Sequence, residues 1–161
     1  MLLNFIYGGD KVERPSWNEY FMEMAFAISK RCSCFSEPKG AVITKDNRII
    51  SAGYNGAPSG IKNCKYDMKE CRKRSLGYGH GEGHHECKAV HAEANAILNA
   101  AKTGVSTNDC MMYCTHKPCE ECAKMIIQSG IKVVYYSKEY ESKFAKELFE
   151  ESNVELVKLE V

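Results

Sequence analysis

His91-Ala92-Glu93-Ala94-Asn95-Ala96-Ile97, read together with Pro118-Cys119-Glu120-Glu121-Cys122 about one βα unit later, decides how this chain is organised. A catalytic zinc needs three protein ligands and an open fourth position where a water is made acidic. His91, Cys119 and Cys122 fill the three places, and Glu93 is left beside the metal as a proton carrier. Residues two apart point to different sides of a regular helix. His91 and Glu93 therefore share a pocket only at a helix start, with the pocket off the end of the axis. Pro118 suits the first turn of a second helix, because its missing N–H would be unpaired there anyway. That helix start favours thiolates at Cys119 and Cys122. Alone, His-x-Glu is common by chance, and Cys-x-x-Cys also serves redox pairs, structural zinc half-sites and packed thiols. Both motifs in this order, each opening a helix after a strand, point to a hydrolytic zinc site.

Outward from these motifs the pattern alternates. His91 to Lys102 reads as a helix stopped by Gly104, Met111 to Thr115 as a strand, Pro118 to Ser129 as a helix stopped by Gly130, and Lys132 to Ser137 as a strand. Glu141 to Ser152 gives an amphipathic helix and Val154 to Leu159 a last strand. Upstream, Ser16 and Glu19 form a capping box for a helix to about Lys30. Gly40 to Thr44 and Arg48 to Gly53 make a hairpin about Asp46-Asn47. A hairpin followed by αβαβαβ predicts one mixed five-stranded sheet with helices on both faces, an α/β domain spanning 1–161. The segment Asn55 to Lys88, in an irregular insertion over 55–90, lacks periodicity and needs something to tie it down.

The chain has 161 residues, 44% of them hydrophobic, enough for an adequate core. A net charge of +1 provides no global attraction to long polyanions but leaves small charged substrates open. Met1 to Gly9 has a short apolar run but no basic leader, so a soluble, cytoplasmic protein without a membrane segment is expected. Nine cysteines, an odd count with no export signal, favour metal binding over a disulfide framework.

At the motifs above and at Gly53-Tyr54-Asn55-Gly56-Ala57-Pro58-Ser59-Gly60 the sequence resembles the deoxycytidylate (dCMP) deaminases of the cytidine deaminase superfamily, from about Trp17 to the C-terminus. The resemblance implies a three-layer α/β/α fold, commonly hexameric, that converts dCMP to dUMP and ammonia for thymidylate synthesis. It implies that zinc on His91, Cys119 and Cys122 acidifies a water whose proton Glu93 takes, passes to cytosine N3 and later helps deliver to the departing amine. It places Asn55 at the sugar 3′-hydroxyl, the backbone beside Ala92 at the pyrimidine and Tyr140 near the sugar phosphate. Local sequence alone reads Asn55 as a turn residue and Tyr140 as a surface aromatic. It further implies dCTP and dTTP effectors at a separate site, with Mg2+ accompanying a regulatory triphosphate.

Some relatives carry a second, structural zinc, and Cys34 and Cys64 stand where those place ligands. His84-x-x-Cys87 has chelating spacing for the other half, with Cys71 competing for a place. The alternative is that these are buried small apolar residues, as Cys32, Cys110 and Cys114 are read. His116 reads equally as an active-site or a solvated loop residue. Lys69-Glu70-Cys71-Arg72-Lys73-Arg74 is either a solvated charge run or a phosphate clamp. Three rival functions remain: a bifunctional dCMP/dCTP deaminase, a tRNA or single-stranded DNA base deaminase, and a non-enzymatic zinc-binding accessory protein.

Overall fold

The computed structural model describes residues 13–79 and 81–160. The expectation for Met1 to Gly9 lies outside these residues. Helix α1 (Trp17–Ser29) opens on the expected capping box: the Glu19 N–H donates to Ser16 Oγ at 3.3 Å and the Ser16 N–H to Glu19 Oε2 at 2.7 Å. Strands β1 (Gly40–Lys45) and β2 (Arg48–Tyr54) follow. Asp46 and Asn47 join them with φ of 50° and 57°, the left-handed pair of a turn whose twist matches the strands it connects.

The insertion then forms short pieces: α2 (Cys64–Asp67), α3 (Arg72–Ser75) and a 3₁₀ turn (His84–Glu86). Its ends are closed by reciprocal bonds, Gly56 N–H to Val90 O at 3.1 Å and Val90 N–H to Gly56 O at 2.9 Å. A two-bond backbone bridge thus gathers the loop that lacked any periodic signal. Beyond it come α4 (Ala92–Thr103), β3 (Met111–His116), α5 (Glu120–Gln128), β4 (Val133–Lys138), α6 (Lys143–Ser152) and β5 (Glu155–Lys158).

The five strands form one mixed sheet in the order β2-β1-β3-β4-β5, antiparallel across β1 and parallel from β3 to β5. Alternation along β1 and β3 sends Val42 and Tyr113 to a core with Phe21, Met22 and Ala25 of α1. It sends Ala41, Ile43 and Met112 to the other face, against Ala96 of α4, Ile126 of α5 and Phe149 of α6. The result is the expected three-layer α/β/α arrangement. Element ends differ from the sequence reading by a residue or two. Pro118 is the clearest case: α5 starts at Glu120 with Cys119 as its N-cap, so Pro118 lies outside the helix rather than in its first turn.

Candidate active site

Helix α4 is pressed onto β2, and that contact sets the position of His91. A Cβ on Gly53 would collide with the carbonyl of Ala92 and the amide of Ala96. Only a glycine lets the two backbones meet so closely. Three side chains stitch the pair together: Ser51 Oγ donates to Ala96 O at 2.6 Å, Asn95 Nδ2 to Tyr54 O at 2.7 Å and Asn99 Nδ2 to Ala52 O at 2.9 Å. His91 is the N-cap of α4 and Cys119 the N-cap of α5, both with extended backbone, and neither side chain caps its helix. N-caps ordinarily carry a short oxygen-bearing side chain that bonds back to the helix. Two such positions given to His and Cys are free to serve something else.

What they can serve follows from distance. His91 Nδ1 lies 3.5 Å from Cys119 Sγ and 3.4 Å from Cys122 Sγ. All three donor atoms fall within 4.8 Å of one another. Tetrahedral zinc with ordinary Zn–N and Zn–S bonds would separate N from S by about 3.5 Å, so the residues fit that ion. Cys119 and Cys122 are buried. Hydrogen bonds from Cys122 and from His91 bring the Cys119 thiol down to about 3, and the bond to Cys119 with burial pushes Cys122 well up. His91 is raised by its bond to Cys119. A divalent cation among them would let both thiols ionise.

Glu93, at the second position of α4, is 6% exposed. Burial raises its carboxyl above the ordinary range, opposed by the charge of His91. It lines a cavity of about 520 Å³ together with His91 and Cys119. A carboxyl shifted toward neutrality beside a metal-type ligand set can both take and return a proton.

Asn55 and Tyr140 line the same cavity. Asn55 is buried and is not among the residues with left-handed backbone. Its Oδ1 accepts from the Lys39 N–H at 2.9 Å and its Nδ2 donates to Glu37 O at 3.0 Å. One lone pair and one N–H of the amide are left for a ligand, held in fixed orientation. Lys39 Nζ sits 4.9 Å from the Tyr140 ring centroid. Ala92 is fully buried under the helix start.

Among the described residues, only His91, Cys119 and Cys122 converge as a group of potential metal ligands. Cys34, Cys64, His84 and Cys87 do not close to that degree. His84 turns its ring edge-on to His91, centroids 5.4 Å apart, on the wall of the catalytic cavity. The charges of Cys34, Cys87 and Cys71 are instead felt together at Cys64. None of the nine cysteines is in a disulfide, and Cys32, Cys110 and Cys114 are buried.

His116 is neither in the active site nor solvated. It is 6% exposed at the end of β3, with Nδ1 3.0 Å from Thr115 Oγ1 and Nε2 3.1 Å from Glu37 Oε2. Lys138 Nζ reaches the other Glu37 oxygen at 2.6 Å. This network anchors the loop that clamps Asn55, and nothing in the spacing of these residues announces it. Asn95 was likewise silent within its motif: an Asn in mid-helix reads as a poor helix former until β2 is laid beside it.

Two helix starts presenting one His and two Cys to a pocket with a buried Glu define a zinc-binding deaminase-type site. The chain belongs to the cytidine and deoxycytidylate deaminase family, matching its zinc-binding region over residues 15–138. It is 39% identical to ComE operon protein 2 of Bacillus subtilis over 151 residues, covering 93% of this chain and 75% of that protein. It is 39% identical to the deoxycytidylate deaminase of Mycobacterium phage D29, across 80% of this chain and 99% of the relative. The crystal structure of dCMP deaminase from cyanophage S-TIM5 in complex with dCMP and dUMP superposes with a TM-score of 0.74 at 31% identity, over 91% of this chain and 99% of that one. Among the described residues no helix is long and apolar enough to cross a membrane.

Proposed function

We propose that this chain hydrolyses dCMP to dUMP and ammonia, with residues 1–161 acting as one deaminase domain. The observation that carries this reading is Glu93: a buried carboxyl, raised by burial, beside a His/Cys/Cys ligand set at zinc spacing. A purely structural metal has no use for a proton carrier at its edge. Zinc bound by His91, Cys119 and Cys122 supplies the Lewis acidity that makes a water nucleophilic near neutral pH. Glu93 takes the proton of the attacking water, places it on pyrimidine N3, and helps return a proton to the C4 amine as it leaves. Asn55 offers its remaining amide valences to the sugar 3′-hydroxyl, the backbone beside Ala92 faces the pyrimidine, and Tyr140 lies near the sugar phosphate. The relatives named for this reaction support the substrate choice.

The test is ammonia release from dCMP, dCTP, CMP, deoxycytidine and a short cytosine-containing oligonucleotide. dCMP is expected to be turned over best. Turnover confined to the oligonucleotide would replace this reading with a polymer deaminase, and equal use of dCTP would make the enzyme bifunctional. A protein that keeps zinc but turns over none of them would be the accessory protein.

A second metal on the insertion is part of the same reading, with Cys71 taking the place first given to His84. Besides burial, the charges of Cys34 and Cys71 push up both the Cys64 and the Cys87 thiols, whereas His84 faces His91. Four thiolates suit zinc. We read the chain as a cytoplasmic homo-oligomer, taken as a hexamer. Trp17, Tyr20 and Ile49, 46%, 40% and 39% exposed, support a surface covered by another copy. Regulation by dCTP and dTTP, with Mg2+ beside the triphosphate, would be read as a change in the dCMP saturation curve.

A further inference from the structure

We infer that Lys73 and Arg74 of α3 are the residues that select a nucleotide over its nucleoside, by holding the 5′-phosphate of the substrate. The inference rests on the deaminase reading above and names the source of its phosphate preference. The chain carries a net charge of only +1, yet Lys39, Lys73, Arg74 and Lys117 all line the one cavity that holds Glu93. Set against the two carboxylates of that lining, Glu37 and Glu93, four cations leave an excess of positive charge, a local anion site in a near-neutral protein.

The four are not equivalent. Lys39 lies over the Tyr140 ring, and Lys117 Nζ is 3.8 Å from Glu139 Oε2, so both already have partners. Lys73 and Arg74 pair with no carboxylate among the described residues, and Lys73 is half-buried. Arg72, next to them, is spent differently. Its Nη2 lies 2.8 Å and its Nε 2.9 Å from Glu86 Oε2, which ties α3 to the turn at His84–Glu86. Successive helical residues are rotated by about a quarter turn or more. With Arg72 fixed outward on Glu86, the next two residues are the ones turned to the cavity. The consecutive cations Arg72, Lys73 and Arg74 are thus one strut and two that meet no carboxylate among the described residues, and such cations at a cavity wall are available to a phosphate dianion.

The test compares Lys73→Gln, Arg74→Gln and the double variant with the native protein, all checked for native zinc content. Three quantities are measured: inhibition by dUMP, inhibition by deoxyuridine, and kcat and KM for dCMP. Each single change is expected to weaken dUMP and raise the KM for dCMP about tenfold, and the double change about a hundredfold, with kcat and deoxyuridine inhibition unchanged. The inference is overturned if dUMP and deoxyuridine weaken together, if kcat falls instead of KM rising, or if zinc content drops. Burial pushes the Cys87 thiol up and Lys73 lies close enough to oppose that push, so any of these would place it in the service of the cysteines. Native protein that turns over no dCMP would sink the deaminase reading itself. Normal turnover with an unchanged dUMP to deoxyuridine ratio in the variants would sink only this inference.

Discussion

The two helix starts and the insertion between β2 and α4 solve the same problem, holding polar groups in place, by opposite means. At His91 and Cys119 the scaffold does the holding: α4 is pressed on β2 at Gly53 and stitched by Ser51, Asn95 and Asn99. The ligands are carried at the starts of these packed elements. In the insertion, α2 and α3 are single turns too short to be stable alone. They are kept by a backbone bridge at Gly56 and Val90 and by the Arg72–Glu86 pair. On the proposed reading, catalysis sits on closely packed elements and substrate selection on short segments held by few bonds.

The sharpest way to break that contrast is Glu93→Gln. It should lower kcat for dCMP by about a thousandfold with zinc content and thermal midpoint kept, as befits a general acid/base on a preformed scaffold. Loss of zinc along with activity would mean that Glu93 helps hold the ion. Next comes the insertion: Cys64→Ser should take zinc from about two per chain to about one, lower the thermal midpoint and raise KM while leaving the catalytic ion. An unchanged zinc count would reduce the cysteines to packing. Gly53→Ala addresses the scaffold directly and should cost about 1–3 kcal/mol in denaturant unfolding. If it costs nothing, α4 is not seated by that contact.

The smallest effect expected is on pH dependence. Glu37 is lowered by its bonds from Lys138 and His116, and His116 is lowered by burial and by Lys39. Groups whose native pKa lies below the unfolded one bind fewer protons when folded, so stability rises with pH through that range. The His116 contribution is therefore lost as pH falls below about 6.5, and that of Glu37 as it falls below about 4.5. His116→Gln should flatten the first part of this slope in melting curves between pH 5 and 7. An identical slope in the variant would show that the loop clamping Asn55 is not held this way.

The layers and the mixed five-stranded sheet were legible because they rest on period and on the order of elements along the chain. Phe21 and Ala25 mark one face of α1, and the alternation in Met111 to Thr115 divides β3 between two cores. The metal triad was legible because its chemistry demands rare residue types at short spacing. What escaped was set by tertiary contact. His84-x-x-Cys87 has a chelator's spacing, but the turn at His84–Glu86 sends the ring toward His91. His116 looked ambiguous because its partner, Glu37, is brought beside it only by the sheet. Pro118 reads as the first residue of α5 but lies two positions earlier, before the N-cap, since a proline just outside an N-cap and one just inside look alike in sequence. The division of labour among Arg72, Lys73 and Arg74 depends on where Glu86 lies, which no local rule supplies.

One consequence follows from His91 and Cys119 occupying N-cap positions without capping. Neither helix relies on those side chains for its first turn, so withdrawing the ion removes nothing that keeps α4 or α5 wound. Dialysis that strips only the active-site ion, leaving the one proposed for the insertion, should keep the far-ultraviolet circular dichroism of the helices in place while activity disappears, and added zinc should restore activity within the mixing time. Loading would then be an exchange at a standing receptacle, answering to the free zinc around the protein and not to its refolding.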